Sequence, residues 1–234
     1  MKKRSRIILM SIISAIVLLT SAFFLYVSDY YKAENPAVDM MKEADNIEVR
    51  DNLTIISPES PGDTALIFYP GAKVEHIAYI PMLEKLSKNG ITCVLVKMPF
   101  NMAIFSPNEA EKVFDELPGI ENWYIGGHSM GGAMASSYAA KNLSKIKGLI
   151  LLGAYIYGDV PPKNALTIYG TFNSSIEDKI DYTENIVIIE GGNHAQFGNY
   201  GQQRGDPPAT ISSEKQQDIA VEAIMEFIIE KTKE

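Results

Sequence analysis

Trp123-Tyr124-Ile125-Gly126-Gly127-His128-Ser129-Met130-Gly131-Gly132 is a short apolar run that ends abruptly in Gly-His-Ser-Met-Gly. A free serine hydroxyl barely ionises near neutral pH, so a nucleophilic serine needs help from its surroundings. The spacing supplies the geometry: a strand over Trp123–Gly126 turns sharply at Ser129 into a helix over Gly131–Asn142. Such a turn leaves no room beside the serine backbone, and Gly127 and Gly131 stand where a side chain would clash. The helix N-terminus then aims free N–H groups and the positive end of its dipole at the reacting centre.

Outward from this elbow, apolar strands alternate with helices. Ile47–Ser57 reads as a strand or hairpin, Thr64–Tyr69 as a strand and Ile77–Lys88 as an amphipathic helix. A strand over Ile91–Met98 and a helix near Asn108–Glu116 lead into the elbow. Strands at Ile146–Leu152, Ala165–Tyr169 and Ile186–Glu190 follow it, and a helix over Ser213–Glu230 closes the pattern. Continuous apolar strands separated by helices imply a mostly parallel sheet covered on both faces, an α/β fold. Ligands of such sheets bind beyond the carboxyl ends of the strands.

Three strand ends therefore carry the expected chemistry. Phe68-Tyr69-Pro70-Gly71-Ala72-Lys73 opens a loop in which Ala72 or Lys73 offers one oxyanion N–H, with Met130 after the serine offering the other. The third strand end is Glu190-Gly191-Gly192-Asn193-His194. Of three histidines, His128 belongs to the elbow and points elsewhere, and His76 starts a surface helix where it is expected to be solvated. His194 is left as the general base. Arg204-Gly205-Asp206, in the polar loop Gly198–Ser212, is read as wall rather than as an adhesion motif.

The ensemble resembles the α/β-hydrolase superfamily, in particular its small lidless members. The Tyr-Pro-Gly-Ala-Lys-Val loop, the Gly-His-Ser-Met-Gly-Gly elbow, the Ile-Tyr-Gly-Thr run and the Gly-Gly-Asn-His segment match its order from about Leu66 onward. The resemblance implies an esterase-type serine hydrolase with Ser129 as nucleophile, His194 as base and Ala72 and Met130 as oxyanion donors. It also places the catalytic acid just after Ala165–Tyr169, where this chain carries Asn173. An amide can hold an imidazole but cannot balance an imidazolium, and the same replacement in a serine protease cost about 10⁴ in turnover. Asp159, Glu177 or Asp178 are candidate substitutes, Asp159 first among them. The alternatives are a weakened hydrolase fold serving as a binding or scaffold domain, and a cell-envelope amidase or peptidase.

Residues Ile7–Val27 form 21 uncharged residues, enough to cross a hydrocarbon core of about 30 Å. Lys2, Lys3, Arg4 and Arg6 precede them, and Asp29, Glu34 and Asp39 outnumber Lys32 after them. The positive-inside rule thus predicts a cytoplasmic stub at 1–6, a transmembrane signal anchor at 7–27, a stalk at 28–46 and an extracytoplasmic domain at 47–234. The rival is a cleaved signal peptide and a secreted domain, but Phe23–Val27 carries the apolar run past the small-residue site Thr20–Ala22. Tyr26, Tyr30 and Tyr31 read as an interfacial belt.

Removing the four leading cations from 21 leaves 17 basic against 29 acidic residues, a balance of −12. Such a domain repels nucleic acid. Cys93, the only cysteine, lies in an apolar strand and cannot form an internal disulfide. No metal-ligand spacing and no nucleotide-binding glycine motif appears, so neither metal nor cofactor is expected. The expected partners are a small-molecule acyl substrate and the membrane.

Overall fold

In the computed structural model, which describes residues 3–233, the apolar strands assemble into one eight-stranded sheet. Its order is β1-β2-β4-β3-β5-β6-β7-β8. β1 (Ile47–Arg50) and β2 (Leu53–Ile56) form an antiparallel hairpin, and β2 pairs antiparallel with β4 (Thr92–Val96). β4, β3 (Thr64–Tyr69), β5 (Asn122–His128), β6 (Gly148–Leu152), β7 (Ala165–Gly170) and β8 (Ile186–Ile189) are all parallel. The expected α/β architecture is thus present.

The strand period of two writes both faces of this sheet. Leu66 and Phe68 of β3 and Tyr124 of β5 join a core with Leu83, Leu86, Ala220, Ile224 and Phe227. Those last five lie on α3 (Ile80–Lys88) and α6 (Ser213–Lys231). The alternate residues Ala65, Ile67, Trp123 and Ile125 face Ala110, Val113, Ala135 and Tyr138. These belong to α4 (Ala110–Glu116) and α5 (Met130–Ala139). Buried, continuous apolar strands between two helical layers are what a parallel sheet requires. Cys93 is a free, fully buried thiol within the first of these cores.

From β3 the chain steps out to β4 and returns past β3 to β5, so the order in which strands are added reverses between β3 and β5. Tyr69 pairs with Gly127, His128 with Leu152, Leu152 with Ile168, and Gly170 with Ile189. This register brings the ends of β3, β5, β6, β7 and β8 to one edge, at the switch point where such sheets bind ligands.

The chain divides into two units, Met1–Tyr30 and Tyr31–Glu234. The first contains α1 (Lys3–Ser28), of which Arg4–Ser28 is long and apolar enough to cross a membrane, a property shared by anchors and signal sequences. Residues 1 and 2 of the expected basic stub, and residue 234, lie outside the described residues. Within the expected stalk at 28–46, residues from Tyr31 onward belong to the second unit and carry α2 (Asn35–Glu43). Pro36 in the first turn starts this short helix, Ala37 is buried, and Met40 and Met41 pack on the first core. Tyr31 is part of that unit: its N–H donates to Lys73 O at 2.7 Å and its carbonyl accepts from Glu75 N at 2.8 Å.

Candidate active site

The elbow is built by crowding. Ser129 sits at φ 53°, ψ −122°, a left-handed conformation that a side chain adopts only at a cost of about 1–3 kcal/mol. Its N–H donates to Leu152 O at 2.9 Å, tying it to β6, and its carbonyl accepts from Ala133 N at 3.0 Å, opening α5. A Cβ on Gly131 would overlap the carbonyl oxygens of Tyr69 and Pro70. One on Gly127 would lie 2.6 Å from Tyr69 O and 2.6 Å from Gly131 C. Only glycine fits between the end of β3 and the first turn of α5. Met130, as the first helical residue, has an N–H with no intrahelical acceptor.

In the loop after β3 two of three amides are occupied. Gly71 N donates to the Tyr79 hydroxyl at 3.1 Å and Lys73 N donates to Asn101 O at 2.7 Å. Of the two amides expected to be available, that of Lys73, at φ 57°, is thus already engaged. Among the described residues the Ala72 N–H has no such partner. The loop runs against the elbow, since the clashes that exclude a Cβ at Gly131 come from Tyr69 and Pro70.

His128 points away from the serine, and its destination was not visible in the sequence. It is fully buried, with Nδ1 2.8 Å from the Tyr79 hydroxyl and Nε2 2.9 Å from His194 O. Because the His194 carbonyl can only accept, Nε2 carries the ring hydrogen and donates to it, and the bare Nδ1 accepts from the Tyr79 hydroxyl. Burial, then the nearby His194, hold the His128 pKa well below 6.5 and the ring neutral. One unbroken chain of hydrogen bonds thus joins the loop of Ala72 to that of His194.

His194 follows β8 on a turn gripped by α6: Gln216 Oε1 accepts from Asn193 N at 3.0 Å and Gln216 Nε2 donates to Asn193 O at 2.8 Å. Asn173, three residues past the end of β7, reaches the imidazole, its amide nitrogen 2.9 Å from His194 Nδ1. Its amide oxygen accepts from the Ser175 hydroxyl at 3.3 Å. Gly153, at φ 53°, gives the ring its space, since a Cβ there would lie 2.8 Å from His194 Nδ1. Burial lowers the His194 pKa and the charge of Asp206 opposes that shift.

Asp159, the expected substitute acid, is exposed and makes no hydrogen bond to His194 among the described residues. The loop Gly153–Asn164 turns outward before β7 and carries Asp159 with it. Glu177 acts on the Tyr169 hydroxyl, whose pKa is raised by burial first and Glu177 second, and Asp178 is exposed. The carboxylate beside His194 is Asp206, which accepts from His194 N at 3.1 Å and Ala195 N at 2.8 Å. The Arg204–Asp206 segment does form wall: with Phe172, Asn173, Ser175 and His194 it lines an open cleft of about 420 Å³. His76 is half-buried rather than solvated, its pKa pushed down to about 4 by burial and then by Lys97. Among the described residues no cluster of His, Cys, Asp and Glu could hold a metal ion.

A serine on a strained strand–helix elbow at a parallel sheet's switch point defines a hydrolase-type α/β scaffold. Residues 65–218 match the Alpha/beta hydrolase family, and the chain belongs to it. No curated protein sequence matches the chain. Among solved structures, a ferulic acid esterase from Streptomyces cinnamoneus is 15% identical with a TM-score of 0.55, covering 73% of this chain and 67% of its own. Est1E from Butyrivibrio proteoclasticus is 16% identical with a TM-score of 0.53, over 78% and 98%. A dienelactone hydrolase from Anabaena variabilis is 14% identical with a TM-score of 0.50, over 74% and 90%. At such identities the likeness speaks to the fold.

Proposed function

We propose that this protein is a membrane-anchored, extracytoplasmic serine hydrolase of small acyl esters. The observation that carries the reading is Ser129 held at φ 53° between two loops with open N–H groups, those of Ala72 and Met130. Ser129 attacks the ester carbonyl, and the two amides stabilise the oxyanion that forms. His194 takes the serine proton on Nε2 and passes it to the leaving alkoxide; water then releases the acyl group by the same route in reverse.

This role requires the imidazole proton on Nδ1 in the resting enzyme, with Asn173 presenting its oxygen there. Ser175 permits that rotation, because its hydroxyl can donate to the amide oxygen or accept from the amide nitrogen. The segment Gly153–Asn164 carries only a single 3-10 turn at Pro162–Asn164 and no cap helix. The site is therefore open, favouring short soluble substrates without activation at a lipid interface. The basic residues ahead of an apolar helix support an anchor with the domain outside.

A fluorophosphonate probe applied to the full chain in detergent tests the reading. Covalent labelling that disappears in Ser129→Ala, together with loss of aryl-ester hydrolysis, is the expected result. Persistent hydrolysis by Ser129→Ala removes the nucleophile assignment. A folded wild-type chain that neither labels nor hydrolyses hands the function to binding, the reading that Asn173 beside the imidazole favours.

A further inference from the structure

Asn173 leaves the proposed base without a charged partner at Nδ1, yet a carboxylate grips the backbone of the same residue. Asp206 is 9% exposed, and both its oxygens are engaged by the backbone of the base turn, at 3.1 Å from His194 N and 2.8 Å from Ala195 N. Its own N–H donates to Gln203 O at 3.1 Å, and the neighbouring Pro207 carbonyl accepts from Asn193 Nδ2 at 2.9 Å, so the loop is pinned on both sides of the carboxylate. We propose that Asp206 is a positioning residue that divides the missing acid's work with Asn173: Asn173 orients the ring and Asp206 supplies the negative charge that stabilises the imidazolium.

This rests on the hydrolase reading above. Triad aspartates do both jobs through one hydrogen bond, orienting the ring and balancing its charge. The two tasks are physically separable. Orientation needs a contact at Nδ1, whereas charge balance needs only a carboxylate within a poorly solvated distance. The other groups around His194 cannot supply the charge. His128 from the elbow, with ring centroids 4.5 Å apart, is neutral. Gln216 of α6 is uncharged, and Arg204 in the cleft wall has the wrong sign. Asp159 and Asp178 are exposed, and Glu177 is turned to Tyr169. Consistently, Asp206 is the charge that raises the proton affinity of His194 against the effect of burial.

The test uses the detergent-solubilised full chain, p-nitrophenyl acetate and an NMR titration of the labelled imidazole. In Asp206→Asn, which keeps an acceptor oxygen, the proton uptake of His194 moves to lower pH. The acid limb of kcat/KM follows it by about one pH unit, and kcat falls about tenfold. Asn173→Asp then restores most of the loss, whereas alone it gains about tenfold rather than the 10⁴ of a bare triad. A folded Asp206→Asn whose His194 titration is unmoved overturns the proposal. So does an Asn173→Asp gain that approaches 10⁴ in the parent, a result that needs no Asp206 variant to fold. Absence of probe labelling in the parent removes the hydrolase reading separately, because the NMR titration reads the charge without turnover.

Discussion

The Ser129 elbow and the His194 turn are held by different physics. Around Ser129 the backbone itself is jammed: glycines meet carbonyl oxygens of Tyr69 and Pro70, and no side chain could be inserted. Around His194 the geometry depends on side chains reaching across loops, from Asn173, Asp206 and Gln216. Steric exclusion is all-or-none, so Gly127 and Gly131 admit no larger residue. Polar contacts can be exchanged or divided, and at the base side one position carries an amide where the family resemblance implies a carboxylate.

The sharpest break of this contrast is at the serine. Ser129→Ala should lower ester turnover by about 10⁴-fold or more with an unchanged melting temperature, measured by initial rates and circular dichroism. Gly131→Ala should cost about 3 kcal/mol or prevent folding, because the added Cβ overlaps two backbone oxygens that cannot retreat. Urea denaturation reads it, and a stable Gly131→Ala protein would show that the elbow is looser than described. Tyr79→Phe strips the link between the two sides, leaving Gly71 N–H and His128 Nδ1 unpaired in the interior. The expected loss is about 2 kcal/mol, with reduced activity despite the distance from the cleft.

The pH dependence of stability joins the two sides. Burial holds the pKa values of His76, His128 and His194 below 6.5 in the folded chain. The unfolded chain binds protons that the folded one refuses, so stability falls as pH drops through about 6.5. For the fully buried His128 the slope reaches about 1.4 kcal/mol per pH unit. Thermal melts at pH 8 and pH 5 check it, and equal melting temperatures would contradict a neutral buried His128. The smallest effects lie at the acid position. Asn173→Asp should raise kcat about tenfold, while Asp159→Asn, far out on an exposed turn, should leave it within twofold. A crippled Asp159→Asn would move the acid there.

Legibility in the sequence followed the same divide. The glycines beside Ser129 are a direct imprint of backbone crowding, so strand, elbow and helix were readable as a pattern. Asn173 was readable through chain order, because β7 fixes where the next residues emerge. Asp206 was not, since it acts on backbone N–H groups, which leave no trace in the residues that carry them. Nor was the role of Tyr79, which depends on a hydroxyl meeting a ring 49 positions away. The segment from Tyr31 to Asn46 was missed because α2 has nine residues, only one of them buried, and shows no sustained apolar period.

That segment has a mechanical consequence. Tyr31 is clipped to the chain on either side of Val74 by two backbone bonds of 2.7 and 2.8 Å. Any tension arriving along the polypeptide from α1 reaches the second unit at Tyr31 and loads these two bonds, two residues from Ala72. If the chain is anchored through α1 as proposed, the loop of Ala72 is the first part of the second unit to carry the load, and the clip is the fuse that decides how much of it goes further.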